Sequence, residues 1–465
     1  MSFELQFLGA TGEVTGSLYA IRYNGHTVLL ECGMFQGTRA EEQKNDAAIP
    51  VPVEDIDAVI LSHAHIDHSG RIPLLCRSGY AGPIYTQHAS VALCRIMLPD
   101  SGYLQEKDAE WENRKRKNHG KKPVEPLYTR EDAECCLQFF HGIDYAQPIE
   151  VVPGLLCTLH DAGHILGAAI VELRFREDGA EKTLVFSGDL GHRGSPVMNS
   201  PSTLTTANVV IMESTYGDRL HREPKDTIRE IGDVFASARQ GRGNILIPSF
   251  TIGRTQDLLY LMQKHYAEWG LEHWRIFLDS PMAIEATAVY AQYQDLYGPH
   301  LFKPGSTTPD LPNFHATLEP EESMAINAIQ SGAVIIAGSG MCNGGRIRHH
   351  LKNNIWRPEC HVMIVGFQGR GTPGRQLVDG AETLRLWGED YAVRARIHTI
   401  GGLSAHADQE DLLYWYGKFS GRPPVYLVHG EKNAQELLAD ALVKTHGAEV
   451  TIAQHKQKLN IAKLQ

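Results

Sequence analysis

The chain has 465 residues, of which 42% are hydrophobic, so it can form two or three domains that each bury a core. Its formal net charge of −11 is unlike that of bulk nucleic-acid binders, which are usually basic, but it leaves room for a local basic patch. No apolar stretch reaches the ~20 residues that span a bilayer, and the chain does not start like a signal peptide. We therefore expect a cytoplasmic protein without membrane contact. The eight cysteines form no C-x-x-C pair, which argues against a Cys-rich zinc site or a redox motif.

The first third of the chain predicts short strands and one long helix. Two strand-like segments, 17–23 and 26–31, flank Asn24-Gly25, the dipeptide most typical of a tight β-hairpin. A helix is predicted over 89–118, and it ends in the basic cluster 114–117. Such a cluster is typical of a solvated helix face, with RNA contact as the alternative.

Later in the chain, strands alternate with longer helices, which is typical of a parallel α/β sheet. An example is the apolar run 244–248, which is followed by a predicted helix over 253–268. Nearly every polar residue of interest follows the carboxyl end of an apolar run. Open α/β sheets place their ligands at that end of the strands.

The strongest pattern is the segment from His63 to His68, which directly follows the apolar run 56–62. Imidazole nitrogens and carboxylate oxygens both suit zinc, and alternate positions on a loop can converge on one point. His63, His65, Asp67 and His68 are more ligands than one tetrahedral ion needs, which indicates two ions. The alternative is a solvated polar loop, which would be the better interpretation of a lone H-x-H.

Two later residues can complete such a site. His164 lies between Gly163 and Gly167, and glycines allow a close approach of the backbone; alone, it would more often be a core histidine. Asp189 follows Gly188 and could equally be a turn residue, but a bridging carboxylate is the usual way to hold two cations together.

Taken together, these motifs resemble the metallo-β-lactamase superfamily. Three further segments, 213–217 (ESTYG), 404–408 (SAHAD) and 427–431 (LVHGE), are similar to motifs A, B and C of the β-CASP nucleases. That group contains the nuclease subunit of the mRNA cleavage and polyadenylation factor. The resemblance covers nearly the whole chain, in the order found in the family.

The resemblance implies an α/β protein with an αββα metallo-β-lactamase sandwich interrupted by an inserted β-CASP domain. The implied limits are 1–210 for the first part of the sandwich, 211–395 for the β-CASP domain and 396–465 for the return segment. RNA would bind in the cleft between the two domains.

The resemblance also implies two Zn²⁺ ions per chain and a role for each site residue. One ion would be bound by His63, His65 and His164, the other by Asp67, His68 and His429, with Asp189 bridging. Glu213 and His406 would form the acid–base pair near the leaving group, and Asp67 is placed among the catalytic residues with them.

Two residues refine this expectation. In the family, histidine at motif C goes with RNA substrates, so His429 points to RNA. The family usually has aspartate behind the ligands in its first motif, whereas this chain has Glu31, whose extra methylene could shift a hydrogen bond to a ligand.

Three glycine- and arginine-containing turns are candidate phosphate contacts, because backbone N–H groups at such turns favour anions. Purely structural turns are the alternative for each of them. The candidate residues are Ser249 and Arg254 in the first turn, Ser339 and Arg346 in the second, and Arg370 in the third.

The interpretation is therefore a zinc-dependent ribonuclease that hydrolyses RNA phosphodiester bonds with a metal-activated water. We expect it to cleave internally and to act in RNA processing or decay. One alternative is another hydrolase of the superfamily, a thioesterase or lactonase. The other is a non-catalytic RNA-binding subunit. The sequence leaves open the RNA target, the choice between internal and terminal cleavage, and whether the chain forms a homodimer.

Overall fold

The computed structural model describes residues 3–118, 120–298, 301–369 and 371–461. The chain divides into two compact units. The first combines Met1–Arg193, Ser200–Leu220 and His406–Gln465, and the second combines Gly194–Asn199 and His221–Ala405. The division between the units lies somewhat later in the chain than the expected limits at 210 and 395, which stay a prediction.

The strands of the described residues are numbered in chain order. They are β1 Glu4–Phe7, β2 Tyr19–Tyr23, β3 His26–Leu30, β4 Ile56–Ile60, β5 Ile84–Gln87, β6 Phe140–Ile143, β7 Ile149–Val152, β8 Leu155–Asp161, β9 Ala169–Glu177, β10 Ala180–Phe186, β11 Val209–Met212, β12 Ile245–Pro248, β13 Arg275–Leu278, β14 Phe314–Ala316, β15 Ala333–Ala337, β16 His361–Ile364, β17 Thr383–Leu386, β18 Glu389–Ala392, β19 Arg396–Thr399, β20 Val425–Leu427, β21 Val450–Ile452 and β22 Lys458–Asn460.

The α-helices of the described residues are numbered in the same way. They are α1 Arg39–Glu42, α2 Ile66–Ser69, α3 Ile72–Arg77, α4 His88–Asn118, α5 Arg130–Cys136, α6 Pro224–Gly241, α7 Arg254–Lys264, α8 Pro281–Gln292, α9 Pro320–Ile326, α10 Ile347–Asn354, α11 Pro373–Val378, α12 Gln409–Tyr416 and α13 Lys432–His446. Within these helices, none combines the length and the apolar character needed to cross a bilayer.

The first unit is a sandwich of two seven-stranded sheets. The strand order is β22-β1-β2-β3-β4-β5-β6 in one sheet and β21-β20-β11-β10-β9-β8-β7 in the other. The predicted hairpin is confirmed as β2 and β3, with Asn24 and Gly25 both at positive φ in its turn. Helix α4 packs on the first sheet and α13 on the second, so the predicted αββα arrangement is confirmed.

Aromatic side chains join the inner faces of the two sheets. Phe3 stacks on Phe175 with ring centroids 4.0 Å apart, and Tyr19 lies 5.4 Å from Phe186. These rings belong to one buried apolar cluster that draws residues from both sheets. Burial of aromatic and aliphatic side chains on both inner faces is the main stabilising term of such a sandwich.

The second unit is built on a six-stranded sheet in the order β14-β13-β15-β12-β16-β19, in which every strand pairing is parallel. All residues of its central strands β12 and β15 are buried. The predicted parallel α/β sheet is confirmed. The helix predicted over 253–268 is α7, which ends at Lys264.

The sheet topology of the first unit positions a site. Strands β10, β11 and β20 are parallel neighbours. Their carboxyl ends therefore meet at one edge of the sheet, and the residues that follow them include Asp189, Glu213 and His429.

Candidate metal centre

The segment from His63 to His68 leaves the buried strand β4 and turns at once into the short helix α2. The imidazole of His63 is fully buried, and helix α2 presents Asp67 and His68 from its first turn. The Ser69 hydroxyl donates to the carbonyl oxygens of Ala64 and His65, which ties the helix back to the loop. The strand and the short helix thus fix the direction of each polar side chain.

One group of side chains consists of His63, His65, His164 and Asp189, whose facing atoms all lie within 4.8 Å of one another. His65 Nδ1 lies 3.1 Å from His63 Nε2 and 3.2 Å from His164 Nε2. Asp189 Oδ2 lies 3.4 Å from His63 Nε2 and 3.6 Å from His164 Nε2. Three imidazole nitrogens and one carboxylate oxygen therefore face a common point.

A second group consists of Asp67, His68 and His429. His429 Nε2 lies 3.0 Å from His68 Nε2 and 3.4 Å from Asp67 Oδ2. Asp189 Oδ2 also lies 3.3 Å from His68 Nε2, so this oxygen faces both groups. All seven residues predicted as metal ligands are brought together in the first unit.

Glu31 lies directly behind these residues and is fully buried. Its carboxylate accepts hydrogen bonds from the Ser62 backbone N–H at 2.6 Å and the Ser62 hydroxyl at 3.1 Å. Oε2 also lies 2.6 Å from His68 Nδ1, where that nitrogen can donate. With Nδ1 engaged by Glu31, Nε2 is the nitrogen of His68 that faces the second group. The backbone of Glu31 adopts a positive φ of 68°.

Two side chains that the sequence did not single out orient other imidazoles in the same way. Ser62 Oγ lies 2.9 Å from His63 Nδ1, and Thr215 Oγ1 lies 3.0 Å from His429 Nδ1. In each case the hydroxyl oxygen can accept a hydrogen bond from Nδ1–H, which leaves the lone pair of Nε2 free. Ser and Thr are common next to strand ends, so no local pattern marks them for this role.

His406 and Glu213 form a pair beside the two groups. His406 Nδ1 lies 3.3 Å from Glu213 Oε1, and Glu213 is fully buried. The same oxygen accepts from the Leu190 backbone N–H at 2.6 Å, which fixes the carboxylate against the loop of Asp189. Burial acts to lower the pKa of His406, but the attraction and hydrogen bond of Glu213 outweigh it and raise that pKa to about 9. This imidazole is therefore charged at neutral pH in the metal-free protein.

The histidines of the first group have pKa values that are lowered, unlike that of His406. Burial lowers the pKa of His63 to about 3 and that of His65 to about 4, and it holds the pKa of His164 well below its ordinary value. The first group is therefore a set of neutral imidazoles, which is the form that binds metal.

His68 of the second group differs from them. Burial also acts against a charged His68, but Asp189, Asp67 and Glu31 together raise its pKa well above the ordinary value.

The donor set fits divalent metal ions. Neutral imidazole nitrogens and carboxylate oxygens are typical zinc ligands. One buried atom of the site, Asp189 Oδ1, has no hydrogen-bond partner within the described residues. Moreover, the Nε2 atoms of His68 and His429 face each other at 3.0 Å, although both Nδ1 atoms are engaged elsewhere. In the metal-free protein the raised pKa of His68 places a proton between these two nitrogens, and a bound cation would take its place.

The first predicted phosphate turn follows β12 in the second unit. The Ser249 hydroxyl lies 3.0 Å from the Thr255 hydroxyl, and both contact the carbonyl of Phe250. Arg254 is buried at the start of α7, with its guanidinium 3.7 Å from the Asp257 carboxylate. Both residues have contacts inside the turn, and their phosphate contact stays a prediction.

The second predicted phosphate turn follows β15. Ser339 donates to Asn343 Oδ1 at 2.7 Å within the turn. Arg346 donates to the buried Asp279 at 2.7 Å and to the carbonyl oxygens of Thr317 and Leu318. The sequence did not identify this buried partner of Arg346, and phosphate contact by Ser339 and Arg346 stays a prediction. Arg370 of the third turn lies outside the described residues.

The low pKa values of the first group predict how the metal-free protein responds to acid. Unfolded histidines have a pKa near 6.5, so below that pH the unfolded chain takes up protons that folded His63, His65 and His164 do not. The free energy of unfolding should therefore fall as the pH is lowered from about 6.5 to about 4.5, by up to ~1.4 kcal/mol per histidine and pH unit. His68 and His406 stay protonated in the folded state over this window, and their contribution is lost only at higher pH.

Urea denaturation of chelator-treated protein at the two pH values measures this effect. His164→Asn should flatten the pH dependence, whereas His141→Asn, which changes an exposed histidine on β6, should leave it unchanged. Equal stability at both pH values would contradict the prediction.

The loops that carry His164 and Asp189 touch through their backbones at Gly191. A Cβ atom on Gly191 would lie 1.9 Å from the carbonyl oxygen of Gly163, and a backbone atom cannot move aside alone. Gly191→Ala should therefore separate the two loops and weaken metal affinity by roughly 10–100-fold, as other changes behind metal ligands do.

Metal titration of the stripped variant, with circular dichroism to follow the fold, measures this loss. Gly241→Ala is the matched control, because its Cβ would meet only Glu359 O at 3.7 Å. Unaltered metal affinity in Gly191→Ala would show that the loops tolerate separation.

Comparison with known proteins agrees with this geometry. Residues 11–233 match the metallo-beta-lactamase superfamily, and residues 255–377 match the Beta-Casp domain. Residues 390–453 match a domain described as the Zn-dependent metallo-hydrolase RNA specificity domain. The three matches follow the order in which the motifs occur along the chain.

Similar proteins cover the chain from end to end. Ribonuclease TTHA0252 of Thermus thermophilus is 37% identical over 96% of this chain and 97% of its own length. Transcription termination factor FttA of Methanocaldococcus jannaschii is 29% identical over 92% of this chain and 67% of its own length. A crystal structure of a protein of unknown function from Enterococcus faecalis V583 shares the fold, with a TM-score of 0.55 at 13% identity over 99% of this chain and all of the other. The chain therefore belongs to the β-CASP family of the metallo-β-lactamase superfamily and is a metal-dependent hydrolase.

Proposed function

We propose that this protein is a ribonuclease that hydrolyses RNA phosphodiester bonds at a two-zinc centre. The observation that carries the proposal is the position of Asp189 Oδ2, which faces His63 and His164 of one group and His68 of the other within 3.6 Å. The family assignment and the ribonuclease name of the Thermus relative support it.

The side chains divide naturally between two ions. His63, His65 and His164 would hold one, Asp67, His68 and His429 would hold the other, and Asp189 would bridge them. When bound, two such ions act as Lewis acids that polarise the phosphoryl group and make a bound water nucleophilic near neutral pH. The protein's own task is then to keep these ligands neutral or anionic, correctly turned and shielded from bulk water.

The second task of the protein is to supply a proton to the leaving oxygen. His406 is the candidate donor, because Glu213 holds its Nδ1 at 3.3 Å and keeps the imidazole charged near neutral pH. The opposite nitrogen, Nε2, is then the atom that can give its proton away. General-acid catalysis of this kind contributes typically about 10²–10⁴-fold to a rate.

RNA is the substrate that best fits this chain. A thioesterase or lactonase accounts for the ligand motifs of the first unit but not for the second unit or for the match to an RNA specificity domain at 390–453. A non-catalytic RNA-binding subunit accounts for neither the complete ligand set nor the His406–Glu213 pair. We further propose that cleavage is at least partly internal, and that one chain contains the complete site.

The test is digestion of one RNA labelled at either end, with zinc content measured on the same preparation. Wild-type protein should hold about two zinc ions and cut RNA much faster than DNA of the same sequence, with some products from internal cleavage. Asp189→Ala should lose metal and activity together, because Asp189 Oδ2 lies within 3.6 Å of nitrogens in both groups. Asp144→Ala, which removes an exposed aspartate of the first unit, is the control and should retain both.

Full activity in thoroughly metal-stripped protein would disprove the metal-dependent mechanism. Equal cleavage of thioester or lactone substrates would favour the alternative hydrolase. A circular RNA that stays intact under conditions that degrade its linear form would restrict the enzyme to terminal cleavage.

The pair His406 and Glu213 should act as one unit. His406→Ala should retain metal and RNA binding but slow cleavage by roughly 10²–10⁴-fold. Glu213→Gln should do the same and shift the alkaline limb of the pH–rate profile to lower pH, because the carboxylate that raises the pKa of His406 is lost. The double variant should be little slower than either single variant.

A matched control exists in the same unit, where His160 Nε2 lies 2.7 Å from Glu172 Oε2 in a second His–Glu pair. His160→Ala and Glu172→Gln should leave the rate unchanged. Loss of a zinc ion from His406→Ala would instead make His406 a ligand, and multiplicative effects in the double variant would show that the two residues act independently.

A further inference from the structure

The second half of helix α4 carries an exposed face of aromatic and basic side chains. Tyr103 and Trp111 are 44% and 59% exposed, which is unusual for such large rings. Lys107 Nζ lies 5.5 Å from the Tyr103 ring centroid, and Lys115 Nζ lies 3.1 Å from that of Trp111. With Arg114, these four residues define what we call the α4 face.

Helical spacing puts the α4 face on one side of the helix. Residues 103, 107, 111 and 115 follow one another every four positions, and residue 114 lies three positions after 111. The two aromatic rings are therefore about 12 Å apart along the helix axis at 1.5 Å per residue. The rings are far enough apart for each to stack on a separate base.

The end of the helix is also strongly basic, although the whole chain has a net charge of −11. Arg114, Lys115 and Lys117 are exposed, and exposed Lys121 and Lys122 follow the helix. In the part of the chain that the structure describes, none of these five has a carboxylate oxygen within 4.0 Å. Positive charge is thus concentrated at these five side chains, whereas Lys107 and Arg116 of the same helix pair with Glu110 and Glu112.

The opposite side of the helix end is packed, which keeps the α4 face turned outward. Asn113 and the backbone of Val124 exchange two hydrogen bonds, at 2.7 and 2.8 Å. Arg116 donates from Nε to the carbonyl oxygen of Lys122 at 2.6 Å. The segment that follows the helix therefore packs against the side opposite the α4 face.

Helix α4 also connects this face to the metal centre. Near its first turn, the Ser90 hydroxyl donates to the carbonyl oxygen of Gly167 at 2.8 Å, in the loop that carries His164. From His88 to Trp111 the helix extends about 35 Å at 1.5 Å per residue. The α4 face can therefore contact only a part of a substrate that lies well away from the bond to be cut.

We propose that the α4 face binds single-stranded RNA at a distance from the cleavage site, so that long substrates are held more tightly than short ones. The proposal rests on the proposed ribonuclease function. Alternating rings and cations are how proteins bind single strands without sequence preference: bases stack on the rings and cations contact phosphates. A protein partner would instead be expected to cover rings that are flanked by fewer uncompensated charges.

The test is RNA binding by metal-stripped protein, followed by fluorescence anisotropy over a range of salt concentrations. Trp111→Ala should raise the Kd for an RNA of about 30 nucleotides roughly 10-fold at every salt concentration, because stacking is lost. Arg114→Ala/Lys115→Ala should weaken binding and reduce the salt slope by about 1.4, from about 0.7 for each lost phosphate contact. For an RNA of about six nucleotides, neither variant should change the Kd, and both should cut it at the wild-type rate once zinc is restored.

The matched controls are Trp356→Ala and Lys225→Ala/Lys444→Ala, which remove a ring that is 51% exposed and the same number of charges elsewhere. Unchanged Kd and salt slope in both α4 variants, with wild-type protein cutting RNA normally, would overturn this proposal alone. Failure of wild-type protein to bind or cut any RNA would instead remove the proposed function. An altered sedimentation coefficient of Trp111→Ala with an unchanged RNA Kd would identify a protein-binding face and also overturn the proposal.

Discussion

The loops of the candidate metal centre are arranged around one buried carboxylate oxygen, Asp189 Oδ2. Three imidazole nitrogens, of His63, His164 and His68, lie within 3.6 Å of it, in a region from which water is largely excluded. Burying this many polar groups is costly unless each is paired or bound to a cation. The surrounding loops therefore hold nitrogen and oxygen atoms toward a common centre, where a bound metal ion would supply the stabilising charge.

This requirement explains where backbone meets backbone. A Cβ on Gly33 would lie 1.6 Å from the carbonyl oxygen of Asp67, and one on Gly191 would lie 1.9 Å from that of Gly163. Each contact joins a loop that carries a ligand to the loop beside it. Hydrogen bonds from Ser62 and Thr215 then set the rotation of individual imidazoles. The ligands owe their directions to contacts between loops as much as to their own strands.

The fold brings together the residues that compact sequence motifs predicted. His63, His65, Asp67 and His68 lie within six positions, so a local pattern was enough to single them out, whereas the local pattern around Asp189 fitted a turn residue equally well. The family order then located the more distant His429 and Glu31. The roles of Ser62 and Thr215 could not be predicted, since a hydroxyl beside a strand end has many possible partners. Their importance follows only from the fold, which brings Thr215 to His429 across 214 positions of the chain.

In the second unit the sheet could be predicted from the sequence, but the contacts of a candidate phosphate-binding residue could not. Its parallel sheet was predictable, because buried strands alternating with helices leave a clear periodicity in the sequence. The surroundings of Arg346 were not, because its carboxylate partner Asp279 lies 67 positions earlier. That aspartate also accepts from Ser323 and lies 2.6 Å from His350 Nε2, which makes a buried polar cluster from residues on separate elements. Glycine and arginine in a turn indicate affinity for anions. They do not reveal that the arginine already contacts a carboxylate of the protein itself, here that of Asp279.

The division of the first unit into separate chain segments has a consequence for protein synthesis. His63, His164 and Asp189 are made early, but His406 and His429 are made only after the second unit, His221–Ala405. The edge strand β22 pairs with β1 and is made later still. At about 5–20 residues per second, the ribosome needs roughly 10–40 s to pass from the start of the second unit to His429. During that time the growing chain is attached to a particle made largely of RNA while it still lacks both the candidate proton donor and one metal ligand.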